Sequence, residues 1–219
     1  MFSLNSFFSR KMTKLFDLCW LNVLCLVTCI PIITIGPAFT ALYTVLLAMS
    51  KDQEAPVTKM FFRAFKENFK KGLAVGLIYT AIMALLIFDI QIWQVSQTET
   101  KPLFVTATVI LIVLLAMLGC WLFPLLAKFD NTVKNMFKNA AIFAFKYFPI
   151  SLAMGIVVVG YVVIVLEWFF NLMIPFLFIG INILAYPWTF YVRSRFDKYL
   201  EERGSADTIR ENTSGNQTN

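Results

Sequence analysis

Long apolar runs alternate with short polar stretches along almost the whole chain of 219 residues. The runs cover residues 15–49, 72–93, 103–127, 148–169 and 172–191. A bilayer core of about 30 Å takes roughly 20 apolar residues per helix. Runs 72–93 and 103–127 flank a short, mostly polar link, Gln94 to Pro102, and read as one helical hairpin. Runs 148–169 and 172–191 read as another, with Glu167, Trp168 and Asn171 near the break. The first run barely fits two spans, and its middle is Pro31-Ile-Ile-Thr-Ile-Gly-Pro37. It is expected to be a tight hairpin. The pattern therefore predicts an all-α polytopic membrane protein of about six transmembrane helices, arranged as three hairpins.

Two segments between the runs are amphipathic. In 58–71, Phe61, Phe62, Phe65 and Phe69 follow helical spacing, and Lys59, Arg63, Lys66 and Lys70 interleave with them. In 131–147, Phe137, Ala140, Ala141, Ala144 and Phe145 form an apolar face, with Asn131, Lys134, Asn135 and Lys138 largely opposite. Both are expected to lie in the membrane interface with the basic face outward. That geometry fits a plain connector, and it fits a docking surface in which Arg63, Lys66, Lys70, Asn131, Lys134 and Lys138 meet a partner. A weak internal repeat joins the two segments. Ala64-Phe65-Lys66 leads into Gly72-Leu-Ala-Val-Gly76, and Ala144-Phe145-Lys146 leads into Ser151-Leu-Ala-Met-Gly155. Each copy enters a span that begins small-xxx-small, a spacing that lets helix backbones approach closely in a bilayer.

Charge sets the orientation. Every Lys and Arg except Lys101 falls into one of four clusters: 10–14, 51–71, 128–146 and 193–210. Lys and Arg accumulate on the cytoplasmic side of membrane segments. The four clusters share that side if each apolar block crosses an even number of times, which places both termini in the cytoplasm. The net charge of +6 then reflects topology and attraction to anionic lipid, and nucleic-acid binding is not expected. Apolar residues make up 59% of the chain and charged residues 15%, too little polar surface for a soluble domain of this size. The first apolar stretch is too long for a cleavable signal peptide and should act as an uncleaved anchor. Residues 1–203 are expected to form one helical membrane domain, and 204–219 a disordered cytoplasmic tail.

The chemistry within the spans is sparse. The chain has no His, and Cys19, Cys25, Cys29 and Cys120 form no C-x-x-C pair, so no metal site or cofactor is expected. Asp89 and Glu167 lie late in their spans, near Trp93 and Trp168. They read either as separate interfacial acids or as a pair around an outward-facing polar cavity. No catalytic constellation or phosphate-binding loop is present, and an enzyme is not expected. In the first hairpin, Pro31 and Pro37 each lack an amide donor and Gly36 permits unusual dihedrals. Helices over 15–30 and 38–49 rise about 24 and 18 Å at 1.5 Å per residue. Both are short for a bilayer, so the turn reads either as lying at membrane depth, where irregular backbone must be covered by protein or line a wet cavity, or as an ordinary external hairpin in a thinned bilayer. Pro31, Thr34, Gly36, Pro37 and Thr40 are its candidate residues, and the Thr34 hydroxyl is a candidate partner for a backbone group freed by the prolines.

The same turn carries a resemblance. Pro31-Ile32-Ile33-Thr34-Ile35-Gly36-Pro37-Ala38, continuing through Thr40-Ala41-Leu42-Tyr43, resembles the signature of the YesL-like bacterial membrane proteins. Phe61-Phe62-Arg63-Ala64-Phe65-Lys66-Glu67-Asn68-Phe69-Lys70 is similar to the family's next block, and Phe123-Pro124-Leu125 running into Phe129-Asp130-Asn131-Thr132 to a later one. The likeness covers roughly residues 10–200. The family has no assigned biochemical function, and its genes often lie near carbohydrate ABC importers and polysaccharide-degrading enzymes in Gram-positive bacteria. The resemblance implies a multi-pass protein of a bacterial cell membrane, a non-enzymatic accessory or assembly subunit that meets the permease subunits of a sugar importer. A stand-alone transporter or channel, and a scaffold or signalling partner, are the alternative readings.

Overall fold

The computed structural model describes residues 2–51, 56–95, 99–168 and 180–215, with side chains between residues 12 and 202 of these ranges. The described residues form helices joined by short turns and loops. In chain order the helices are α1 (Phe2–Cys29), α2 (Ile35–Met49), α3 (Val57–Glu67), α4 (Phe69–Val95), α5 (Lys101–Lys128), α6 (Val133–Lys146), α7 (Phe148–Glu167) and α8 (Asn182–Gly215). A single 3-10 turn, Ile32–Thr34, joins α1 to α2. Among the described residues, five stretches are long and apolar enough to cross a membrane: Met12–Cys29, Ile32–Met49, Phe69–Val95, Lys101–Lys128 and Phe148–Glu167. Of the expected sixth span, 172–191, residues 172–179 lie outside the described residues, and residues 182–191 form the start of α8.

Two expectations from the pattern change. The segment 58–71 is two helices. Asn68 leaves the helical conformation between α3 and α4 (φ −96°, ψ 7°) and its side-chain amide donates to the Ala64 carbonyl at 3.1 Å. Lys70 and Lys71 therefore belong to the first turn of a spanning helix. Second, α2 begins at Ile35, so Gly36 and Pro37 are helical rather than part of an irregular turn. Proline's fixed φ suits the first turn of a helix, where its missing donor would be unsatisfied in any case. Helix α8 continues through residues 204–215 of the 204–219 tail, and residues 216–219 lie outside the described residues. Helix propagation adds one hydrogen bond per residue fixed, so an established helix extends more readily than one can start.

Side-chain contacts fix how the helices run. The α4–α5 pair is an antiparallel hairpin. Lys71 pairs with Asp130 at one end, the Tyr79 hydroxyl meets the Leu115 carbonyl at 3.3 Å, and Trp93 stacks on Phe104 at 4.2 Å near the other end. On the other side of α5, α7 is also antiparallel, with Trp121 Nε1 donating to Ser151 Oγ at 2.8 Å. Helix α8 runs beside α5 in the same direction. Trp188 Nε1 donates to the Cys120 carbonyl at 2.8 Å, and Lys128 meets Asp197 at 3.6 Å. Pro124, inside α5, cannot supply the amide that would normally bond that same Cys120 carbonyl, and the Trp188 indole takes its place.

The core is concentrated toward the end of the bundle that carries Lys71, Lys128 and Arg193. The buried residues of α4 are Gly72, Val75 and Gly76, and those of α7 are Ser151 and Gly155. All lie in the first two turns or so of their helices. Both small-xxx-small motifs of the internal repeat thus face protein. Gly72 and Gly76 pack on α2, and Ser151 and Gly155 pack on α5. The repeat read over a dozen positions is a three-helix unit in the structure. A spanning helix, a short amphipathic helix and a second span occur as α2–α3–α4 and again as α5–α6–α7.

Candidate functional site

Two places hold the residues singled out in the sequence: the crossing of α2 with α4, and the basic end of the bundle.

At the crossing, no side chain separates the two backbones. A Cβ on Gly36 would overlap the Gly72 carbonyl oxygen and lie 2.7 Å from the Gly76 Cα. One on Gly76 would lie 2.5 Å from the Gly36 Cα, and one on Gly72 would lie 2.9 Å from the Pro37 Cα. Gly36 lies within helix α2 and its φ is not in the left-handed region, so the site needs glycine for space and not for dihedral freedom. Thr40, fully buried one turn on, donates its hydroxyl to the Gly36 carbonyl at 2.8 Å.

The turn before Gly36 has two sides. Gly36 and Pro37 are buried, whereas Pro31, Ile32 and Ile33 are exposed on the bundle surface. Pro31 (φ −74°, ψ 119°) ends the helical path of α1. The Thr34 N–H donates to the Pro31 carbonyl at 2.9 Å, and the single hydrogen of the Thr34 hydroxyl lies between the Thr28 and Pro31 carbonyl oxygens, at 2.6 and 2.7 Å from its oxygen. Thr34→Val is expected to lower stability by about 1 kcal/mol, the scale of hydrogen bonds within membrane proteins, with insertion unchanged. Unfolding of the purified variant in detergent checks it, and a loss above about 3 kcal/mol would point to a further role for the hydroxyl.

At the basic end, α3 and α6 each turn an apolar stripe into the bundle. For α3 the stripe is Val57, Phe61 and Ala64, while Phe62 and Phe69 are largely exposed. For α6 it is Met136, Ala140, Phe143 and Ala144. The face expected from the sequence is rotated, and Phe145 points outward at 66% exposure. The polar faces point away from the protein. Arg63 is paired with Glu67 at 2.9 Å, which holds the guanidinium above its ordinary pKa, and Asn131 is half-buried. Lys66, Lys70, Lys134 and Lys138 are exposed and join no ion pair among the described residues. Lys66, Lys70 and Lys71 line a surface cleft of about 540 Å3 with Phe65, Phe69 and Glu67.

The clusters of positive charge meet at this end. Lys71 pairs with Asp130, Lys128 with Asp197, and Lys146 with Glu202. Arg193 bonds the Ser50 carbonyl and meets Asp197 at 3.6 Å. The acids of the far half do not converge. Asp89 Oδ2 accepts from Thr108 Oγ1 at 2.5 Å, Glu167 is exposed at the end of α7, and no contact joins the two. No group of three or more His, Cys, Asp or Glu suited to a metal occurs among the described residues.

Comparison with known proteins bears on the crossing first. Residues 18–90 match the family described as "Protein of unknown function, DUF624". The matched stretch holds the partners on both sides of the crossing, Gly36 with Thr34 and Thr40, and Gly72 with Gly76. The chain is also similar to the "Uncharacterized protein YesL" of Bacillus subtilis (strain 168), at 28% identity over 131 residues. The aligned region covers 59% of this chain and 61% of that protein, so the likeness is distant and leaves about two fifths of each outside it. The resemblance to YesL-like proteins read from residues 31–43 is thus met by the comparisons. No solved structure matches the chain.

Sequence reasoning missed two features. One is the aromatic cluster around the fully buried Trp121, with Phe143, Tyr147, Trp188 and Phe196 within 5.2 to 6.3 Å between ring centroids. The other is Arg195, whose guanidinium lies 5.0 Å from the Tyr147 ring and 4.8 Å from the Tyr191 ring. The four-residue spacing of Tyr191 and Arg195 was the available signal, since such pairs share a helix face.

Proposed function

We infer that this protein is a non-enzymatic membrane subunit that docks a partner through the exposed basic faces at one end of its bundle. The observation that carries the reading is the state of Lys66, Lys70, Lys134 and Lys138. They are exposed and join no ion pair among the described residues; Lys66, Lys134 and Lys138 lie on short helices whose buried stripes face the protein's own core, and Lys70 follows in the first turn of α4. A helix that served only to anchor the next span would keep its apolar side for lipid. Lys71, Lys128 and Arg193 nearby are matched by acids or carbonyls, which leaves these four lysines among the exposed cations open to a partner. The partner class, the permease subunits of a carbohydrate ABC importer, comes from the family resemblance. Changing Lys66 and Lys70, or Lys134 and Lys138, to Gln is expected to reduce co-purification with the permease subunits several-fold while membrane insertion stays normal. Normal complex formation and sugar-dependent growth in both double variants would leave the charges as topological signals only.

The proposed orientation puts the basic end in the cytoplasm, in a bacterial cell membrane. The meeting of the second, third and fourth clusters supports it, because residues in contact share a membrane side. The first hairpin is proposed to be shallow. Gly36 meets α4 within about 8 Å of Lys71 along the helix axis, whereas Val95 at the far end is about 36 Å away, at 1.5 Å per residue. Single cysteines at Lys51, Thr132 and Glu202 should label only from the cytoplasmic side with an impermeant maleimide, and one at Glu99 only from outside. A cysteine at Ile32 should resist labelling from outside. External labelling at Lys51 or Thr132 would reject the even-crossing topology, and external labelling at Ile32 would reject the shallow turn.

A further inference from the structure

An apolar groove of about 370 Å3 runs between α7 and α8. Ile150, Met154 and Val157 line one side, and Ile183, Trp188 and Tyr191 the other. Its level is fixed by α5, where adjacent residues hold the two walls: Trp121 bonds Ser151 of α7, and the Cys120 carbonyl accepts from Trp188 of α8. These lie about 12 Å along α5 from Lys128 and the basic end, at 1.5 Å per residue. The groove therefore occupies the half of the bundle nearest the positive charge.

Tyr191 links the groove to that charge. Its ring closes the groove and also packs against the Arg195 guanidinium, which Tyr147 flanks from α6's end. Arg195 Nε and the Tyr191 hydroxyl are both buried without a hydrogen-bond partner. No carboxylate pairs with Arg195 among the described residues, although Arg193 and Lys146 nearby meet Asp197 and Glu202. A guanidinium is always charged and presents five donors. Two phenol rings flank it at 5.0 and 4.8 Å, contacts that use the faces of the rings and none of its N–H donors.

We propose that the groove holds one acyl chain of an anionic phospholipid whose phosphodiester is bound by Arg195. The occupant follows from the two chemistries in line: an apolar slot within the spanning region, ending at an unmatched cation at the level of the headgroups. Basic pockets between membrane helices on the cytoplasmic side bind such lipids by the same physics. A bidentate contact from the planar guanidinium to the phosphodiester gives both charge and direction. The inference rests on the reading of a membrane-spanning chain and on no protein partner, so a failed docking experiment leaves it untouched.

The test uses the full chain in mild detergent, incubated with phosphatidylglycerol or with phosphatidylcholine of identical acyl chains. Native mass spectrometry reads the lipid retained. The wild type is expected to retain phosphatidylglycerol roughly tenfold over phosphatidylcholine, the scale of one hydrogen bond to a charged group. Arg195→Gln should bring the ratio close to one, with phosphatidylcholine retention unchanged. Ala153, an exposed residue that also lines the groove, allows a second variant. Ala153→Trp should lower retention of both lipids several-fold. Equal retention of the two lipids by the wild type, or an undiminished preference in Arg195→Gln, would overturn the proposal. So would displacement of phosphatidylglycerol by millimolar inorganic phosphate, which would reduce the site to an anion pocket without a chain. If Arg195→Gln does not yield folded protein, Ala153→Trp decides alone, and unchanged retention in it rejects the groove.

Discussion

Gly36→Leu is expected to abolish the folded protein, and Gly36→Ala to destabilise it by about 3 kcal/mol, the upper end of ordinary overpacking. The first atom added at this position meets backbone and not a flexible side chain. Its neighbours would be the Gly72 carbonyl oxygen, the Gly76 Cα at 2.7 Å and the Gly72 carbonyl carbon at 2.9 Å. No rotamer change relieves such an overlap; α2 and α4 must move apart. Doing so would disturb the Phe39–Phe123 and Tyr79–Phe123 ring contacts, through which both helices hold α5. Gly72→Ala and Gly76→Ala should fail for the same reason from the other side of the crossing. Gly160→Ala, where nothing lies within 4 Å of the added atom, is the control and should be neutral or slightly stabilising. Size-exclusion profiles and thermal unfolding in detergent would decide the matter. A monodisperse Gly36→Leu protein with wild-type unfolding would show that the two backbones do not touch.

Trp121→Ala is expected to cost about 3–5 kcal/mol, the range for removing a buried aromatic side chain. The loss arises from packing. Trp121 is fully buried and touches residues of α6, α7 and α8, so its removal opens a cavity where four helices meet. Trp121→Phe separates the hydrogen bond from the volume. It gives up the Nε1–Ser151 bond, but Ser151 Oγ still donates to the Tyr147 carbonyl at 2.9 Å, so no donor is stranded. Its cost from the hydrogen bond alone is expected near the ~0.6 kcal/mol average for such bonds in membranes. The two variants compared by unfolding in detergent should therefore differ by more than about 2 kcal/mol. A small effect of Trp121→Ala would mean that the cluster is not the junction of the bundle.

The sequence alone determined the helical class, the boundaries of four apolar stretches, the breaks at Pro31 and near residues 94–102, and the small-xxx-small starts at Gly72 and Ser151. These follow from local rules: helical spans need apolar length, proline removes a donor, and turn residues interrupt runs. It also singled out Gly36 and Thr34, because a Pro-Gly segment inside an apolar block requires backbone groups to be satisfied from elsewhere. Only the tertiary structure decided which side each helix turns inward. In a bilayer the lipid-facing and protein-facing positions are equally apolar, so burial leaves no hydrophobic periodicity to read. That is why nothing in the sequence marks Trp121 as central; on the amphipathic α6, apolar residues flank the buried stripe on both sides, so the pattern does not separate Phe137 and Phe145 from Met136 and Phe143. The partners of Gly36 were hidden for a related reason. A glycine records that space is needed, and only the fold brings Gly72 and Gly76 into that space. Charge behaved in the opposite way. The clusters were legible because their positions along the chain carry the signal, but the pairing of Lys71 with Asp130, and the isolation of Arg195 between two tyrosines, depend on helices that are distant in sequence meeting at one end of the bundle.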